Sequence, residues 1–418
     1  MLRPLIAPIA RGFVGKHSRR TRDGTSLKPE LPFPDADEIA HSAALAALIR
    51  GEIAVRGPIP FSRYMELCLY APGLGYYSAG KTKFGAAGDF VTAPELGDLF
   101  ARCVAQALAP ALRELGDAAD FLEIGGGSGR FAVAALRELA AQDAMPRRYR
   151  ILEPGADLRE RQRTLVAQTL PAELAARVEW IDRPPEQAWR GVVFANEVVD
   201  ALPTTRFAMH GEEVYEEYVA VDGENFLRQD RPADALVSGA VRHVEKYLDA
   251  RFPPDYRSEI LPQLPYWIPA VIGTLEHGVA LFVDYGYPRS EYYLPERSDG
   301  TLVCHYRHRA HADPLYRPGL QDITAFVDFT ALAEAGTGAG FGLVGYAPQG
   351  QFLLASGLPA LLEETQAMSE PERLRIVGEA KRLTLPGEMG ERFQAIAFTR
   401  GGVEALPGLR AFDLSHRL

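Results

Sequence analysis

Apolar residues recur at helical spacing from Ile39 to Ile49 and from Phe61 to Tyr70, and a longer helical pattern runs from Glu95 to Leu115. Between the second and third patterns, Gly73, Gly75, Gly80, Gly85 and Gly88 punctuate a loop. The pattern then changes. Short, almost wholly apolar runs alternate with amphipathic ones: strand Asp120 to Ile124, helix Arg130 to Ala141, strand Tyr149 to Glu153, helix Leu158 to Thr169, strand Val178 to Ile181 and strand Val192 to Ala195. Continuous apolar strands separated by helices predict a parallel sheet covered on both faces, half of a doubly wound, Rossmann-like α/β fold.

The next run of that kind, Val279 to Asp284, comes only after an interval from Thr204 to His277. Turn signals at His210-Gly211 and Asp222-Gly223 predict a β-meander in its first part, and its second part reads as helical, so the interval is expected to be an inserted cap. A polar, aromatic-rich stretch from Tyr285 to Thr324 precedes helix Phe326 to Ala335, strand Leu343 to Ala347 and strand Phe393 to Thr399. The last two strands are expected as an antiparallel pair at the sheet edge. The implied organisation is a basic arm over 1–38, a helical segment with a covering loop over 39–117, the first part of the sheet domain over 118–203, the cap over 204–277 and the remainder over 278–418.

Composition narrows the partners. A hydrophobic share of 47% and a charged share of 24% are those of an ordinary globular chain. Net charge is -10, from 45 basic against 55 acidic residues, which argues against nucleic acid and favours a cationic or protein substrate. No apolar run approaches the roughly 18 residues of a membrane span. Cys68, Cys103 and Cys304 form no CxxC pair, so neither a zinc clamp nor a redox couple is expected, and a reducing compartment fits. Arg3, Arg11, Lys16, Arg19, Arg20 and Arg22 precede the first acid, Asp23. That arm reads either as a solvated basic tail or as an organelle transit peptide. The expected compartment is the bacterial cytoplasm, with the mitochondrial matrix as the alternative.

Chemistry concentrates at three strand ends. Phe121-Leu122-Glu123-Ile124 runs into Gly125-Gly126-Gly127-Ser128-Gly129, a glycine turn opening a helix, where backbone and helix amides can approach a ligand. A dinucleotide fingerprint would need glycine at 130, where the chain has Arg130, which disfavours an NAD-dependent oxidoreductase. The second strand ends at Glu153, placed to accept hydrogen bonds from a ribose diol. The fourth delivers Asn196-Glu197-Val198-Val199-Asp200, without the two prolines and the ring that methylases of base amines carry, so a flipped base is disfavoured. Glu197 and then Asp200 suit a guanidinium, whose fork a carboxylate holds bidentately, although both could instead cap the next element. Glu216 and Glu217 are expected on a solvated strand face.

Together with Gly75-Tyr76-Tyr77, Gly88-Asp89-Phe90-Val91-Thr92-Ala93-Pro94-Glu95-Leu96, Leu152-Glu153-Pro154, Ala195 to Pro203, Val283-Asp284-Tyr285-Gly286, Asp322-Ile323-Thr324 and Val327-Asp328-Phe329, these stretches resemble the MidA-type class I methyltransferases. That family includes a mitochondrial complex I assembly factor that methylates protein arginine. The resemblance implies S-adenosylmethionine bound by Glu123, Gly125, Gly127, Gly129 and Glu153, with Phe90, Thr92 and Glu95 closing over it. It implies Asn196, Glu197 and Asp200 at the acceptor, with Asp284-Tyr285-Gly286 ending the fifth strand and His308 and Asp322 in the polar stretch expected to face the acceptor. It also implies a protein substrate, with a respiratory complex I subunit as the candidate, and no required metal. A scaffold that binds the cofactor without catalysis is the alternative.

Overall fold

Among the described residues, seven strands in chain order form the path of the main sheet, β1 (Asp120–Ile124), β2 (Tyr149–Leu152), β3 (Val178–Ile181), β4 (Trp189–Asn196), β5 (Leu275–Tyr287), β6 (Gly342–Pro348) and β7 (Phe393–Arg400), and a short eighth, Val327–Asp328, pairs with the end of β5. The computed structural model describes residues 31–78, 92–403 and 406–418. The chain divides after Pro34, and the sheet belongs to the unit Asp35–Leu418. The basic residues of the amino-terminal arm, Phe90 and the glycines at 80, 85 and 88 lie outside the described residues.

The spatial order is β6-β7-β5-β4-β1-β2-β3. β1 pairs in parallel with both β2 and β4, and β4 with β5. β7 runs antiparallel to β5 and to β6, the expected edge pair. Burial on both faces explains the near-continuous apolar strands. Phe121, Val192, Phe194, Leu281 and Val283 pack to one side with Phe100, Val104, Leu108 and Phe131. Their neighbours Leu122, Val193, Ala195, Ala280 and Phe282 pack to the other with Ile268, Phe329 and Phe398. Connections leave β1 in opposite directions, toward β2 and, after β3, back to β4. That reversal opens a crevice at the carboxyl ends of β1 and β4, where open α/β sheets bind ligands. Both chemistry-bearing turns end there.

Between β4 and β5 the chain builds a second sheet. Glu213–Asp222 pairs antiparallel with Thr205–His210 and with Asn225–Pro232, giving the meander. Arg257–Ile260 adds to Thr205–His210, and Ile59–Pro60, from far upstream, adds to Glu213–Asp222. The helices Ala235–Leu248 and Leu264–Ile272 complete the interval. Among the described residues no helix is long and apolar enough to cross a membrane.

Glu216 and Glu217 depart from expectation. Both are buried, Glu217 completely, because the strand that carries them is paired along both edges while the helices Phe61–Tyr70 and Ala235–Leu248 contact it. Glu217 faces Arg257 at 3.2 Å, Arg228 at 3.5 Å and Arg206 at 3.6 Å, and Arg206 also meets Glu259 at 3.6 Å and Asp299 at 3.0 Å. Removing one member strands buried charge of the other sign. Glu217→Ala is therefore expected to lower unfolding free energy by about 3 kcal/mol, read as a shifted urea midpoint. An unchanged midpoint would refute this account of the network.

Candidate active site

Gly125, Gly127 and Gly129 all adopt positive φ, at 69°, 51° and 87°, a region costly for side chains, which explains the glycines of the turn. Gly129 caps the helix Arg130–Ala141, whose first amides face the crevice. A Cβ added at Gly126 would stand 2.7 Å from Ile151 Cγ2, so that glycine serves packing. At Gly127 a Cβ would meet nothing within 4 Å among the described residues, so the turn leaves space there. Ser128 donates to Glu95 Oε1, and Arg130 Nε lies 3.9 Å from Glu95 Oε2, which ties the end of the preceding segment to the turn. Thr92 stands at the start of the short helix Ala93–Leu96 and makes no capping bond with its side chain.

Below the turn, Glu123 is buried and accepts a 2.7 Å hydrogen bond from the Tyr149 hydroxyl. Burial pushes its pKa up to about 7, the Tyr149 bond opposing and the Glu153 charge adding. Glu153, at the tip of β2, is 6% exposed; its Oε1 accepts from Gly155 N at 2.9 Å. Gln162, on the helix Ala156–Thr169, is the brace that sequence reasoning missed. Its Nε2 donates to Gly127 O at 2.9 Å and lies 3.4 Å from Glu153 Oε2, while its Oε1 accepts from Trp180 Nε1 at 2.9 Å. A glutamine on a polar helix carries no period or motif that would reveal this. Open space at Gly127, flanked by backbone amides and by a strand-tip carboxylate, fits an adenosyl ligand.

Beside this hollow lies a cluster of acids. Glu197 follows β4 with φ 52°, an uncommon conformation for glutamate of the kind found where function holds a residue in place. Asn196 Nδ2 donates to Glu197 Oε1 at 3.0 Å, and the Ala93 amide also bonds its carboxylate. Glu197 is partly buried. Burial, then the charge of Asp200, then that of Asp322 push its pKa up to about 8, against the two hydrogen bonds. Asp200 is also raised by burial, against bonding to Tyr285 and to backbone amides. Asp284, at the end of β5, accepts from Val199 N at 3.0 Å, Asp200 N at 3.3 Å and Tyr285 N at 2.9 Å, and so pins the acidic loop to β5. Burial and the charges of Asp200 and Glu197 lift it well above the carboxylate range.

Tyrosines close the cluster. Tyr77 donates to Asp322 Oδ1 at 2.9 Å, Tyr70 donates to Ala201 O at 2.8 Å, and their rings stack 5.5 Å apart. Burial, and then the charges of Asp322, Asp200 and Glu153, hold the Tyr70 hydroxyl well above its ordinary range. The structure thus brings Asp322 to the cluster, whereas His308 occupies an exposed hairpin turn between Val303–Tyr306 and Arg309–His311. The signal for Tyr77 was the Gly-Tyr-Tyr stretch, whose role no pattern specified.

A parallel sheet with an antiparallel edge pair, a glycine turn after β1 and a carboxylate at the tip of β2 define a class I S-adenosylmethionine-dependent methyltransferase. Residues 103–347 match the family described as "putative S-adenosyl-L-methionine-dependent methyltransferase", and the chain belongs to that family. It is 43% identical to a Burkholderia thailandensis protein whose crystal structure holds S-adenosyl-homocysteine, with TM-score 0.87 over 93% of this chain and all of the other. It is 28% identical over 413 residues to the mitochondrial protein arginine methyltransferase NDUFAF7 homologue of Drosophila melanogaster, covering 91% of this chain and 90% of that one. It is 28% identical over 384 residues to the human mitochondrial protein arginine methyltransferase NDUFAF7, covering 83% and 81%. The protein is an S-adenosylmethionine-dependent methyltransferase, and the oxidoreductase alternative falls.

Proposed function

We propose that the methyl acceptor is an arginine of a partner protein, gripped by Glu197 and Asp200. The observation that carries this reading is that Glu197, Asp200 and Asp284 crowd together with their acidities lowered by burial, while no arginine or lysine figures among the described groups that shift them. Acids that burial holds toward the neutral form ionise more readily once a cation lies against them. A guanidinium, always protonated and forked, supplies that cation and offers a nitrogen as nucleophile. The names of the mitochondrial relatives support the same acceptor. A respiratory complex I subunit remains the partner suggested by the sequence resemblance.

S-adenosylmethionine supplies the methyl group on a positively charged sulfur. Gly125, Gly127 and Gly129 would hold its methionine end through the turn's amides, with Glu123 beneath, and Glu153 its ribose. Thr92 and Glu95 would close over it, Glu95 through Ser128. Glu197 and Asp200 orient the guanidinium, Asn196 steers Glu197, and the acceptor nitrogen forms its N–C bond as the S–C electron pair stays with sulfur. Glu197 then receives the proton that the methylated nitrogen loses. The expected compartment remains the bacterial cytoplasm, supported by three buried, unpaired thiols, or the matrix where the relatives are mitochondrial.

The reading is tested by incubating candidate partners with methyl-labelled cofactor and mapping the label by mass spectrometry. Methylarginine supports it; label on lysine or a carboxylate alone would refute it. Because Glu197 titrates near 8 in the free enzyme and must be ionised to grip a cation, kcat/KM for the acceptor is expected to rise about tenfold per pH unit below that value and level off above it. A flat profile from pH 6 to 9 contradicts the role of Glu197.

A further inference from the structure

A second hollow, of about 590 Å³, lies among the helices Ala235–Leu248, Leu264–Ile272 and Phe329–Gly338. Neither the glycine turn nor Glu153 lines it; it shares Val199, Asp200 and Leu202 with the acidic loop. Most of its wall is apolar, with Leu202, Val244, Leu261 and Phe326. Its charged groups are largely committed: Arg289 to Asp328 at 3.0 Å and to Glu334 at 2.6 Å, His243 to Glu334 at 3.1 Å, and Glu259 to Thr301 N at 2.8 Å. Two carboxylate oxygens of the wall, Asp200 Oδ1 and Glu259 Oε1, accept no hydrogen bond among the described residues, but Glu259 Oε1 lies 3.6 Å from Arg206 Nη1, whereas Asp200, 5% exposed, forms no ion pair among the described residues. At the mouth, Leu236 and Tyr266 on different helices remain 52% and 69% exposed.

An apolar hollow with a buried, under-bonded carboxylate in its wall complements a chain that brings a cation together with a nearby apolar side chain. An apolar small molecule would leave Asp200 unanswered. At roughly 10 Å across, the hollow spans about three residues of extended chain at ~3.3 Å each. We propose that this hollow receives an apolar side chain standing about three positions from the methylated arginine in the acceptor protein. The proposal rests on the arginine reading and adds a selection rule to it: the enzyme chooses arginines by their apolar neighbour.

The test uses the full chain, S-adenosyl-homocysteine, and fluorescent decapeptides with one central arginine flanked, three positions away on both sides, by leucine or by glycine. Gly239 lines the hollow, is exposed, and a Cβ there meets nothing within 4 Å, so Gly239→Trp plugs the space without disturbing the fold. In anisotropy, the leucine peptide is expected to bind about tenfold to hundredfold more tightly than the glycine peptide. Gly239→Trp should remove that difference and leave the glycine peptide unchanged. With S-adenosylmethionine, the same factor should appear in KM and not in kcat. Equal binding of the two peptides, or indifference of the leucine peptide to Gly239→Trp, overturns the proposal. Leucine-dependent binding that Gly239→Trp abolishes, without methyl transfer, supports the docking site and overturns the arginine reading. Methylation of both peptides with equal KM does the reverse.

Discussion

Glu197→Gln is expected to lower kcat/KM for the acceptor by about 10²–10³ while cofactor affinity changes less than about threefold. The variant keeps one acceptor oxygen for Asn196 Nδ2 or the Ala93 amide, so the loop geometry survives. It loses the charge that holds guanidinium and the base that takes its proton. Stability should move the other way. The folded pKa of Glu197, about 8, lies above the ordinary 4.5, so the folded state binds more protons than the unfolded chain between those values. Unfolding free energy attributable to this group therefore falls as pH rises through that window and is lowest above about 8. At pH 9 the glutamine variant should be more stable than the parent by about 1–3 kcal/mol, a difference that shrinks toward pH 5. Slower turnover joined to higher stability at alkaline pH is what an acid held for function predicts. A variant slowed and destabilised alike at pH 9 would mark Glu197 as structural.

The second large effect separates two neighbouring glycines. Gly127→Leu should weaken S-adenosylmethionine binding at least about hundredfold in calorimetry, because the new side chain enters open space beside the turn; the strain of its left-handed backbone should cost about 1–2 kcal/mol. Gly126→Leu meets Ile151 at 2.7 Å and Gln162 at 3.2 Å from its first carbon. It should cost stability more heavily, about 3 kcal/mol, by prying the Gln162 helix from the turn. If Gly127→Leu binds cofactor normally, the open space there is not the binding hollow.

The main sheet was legible because the middles of its central strands are buried on both faces and read as short apolar runs, such as Val192–Ala195 and Val279–Val283. β1 and β3 fall on the runs predicted for them, and β4 and β5 extend theirs at both ends. Arg257–Ile260 was missed: Arg-Ser-Glu-Ile holds one apolar residue, and its pairing with Thr205–His210 is a matter of tertiary placement. Glu216 and Glu217 were misread for a related reason. In Glu-Val-Tyr-Glu-Glu-Tyr-Val, charge alone cannot tell a solvated face from a buried one, and Glu217 is answered by arginines at 206, 228 and 257 that only the fold brings near. At the site, turn and acids announced themselves by residue type at strand ends. Gln162, Tyr70 and Tyr77 did not, since each works through a partner brought near by folding.

β7 follows the other described strands of the sheet in the sequence, yet it lies inside the sheet, between β5 and β6. Gln394 and Phe393 sit opposite Asp284 and Tyr285, the residues that pin the acidic loop. The growing chain must therefore pass residue 393 before β5 is paired from Gly278 to Tyr285 on the side away from β4, or β6 has a partner in the sheet. A chain ending short of residue 393 is expected to carry an open seam beside Asp284.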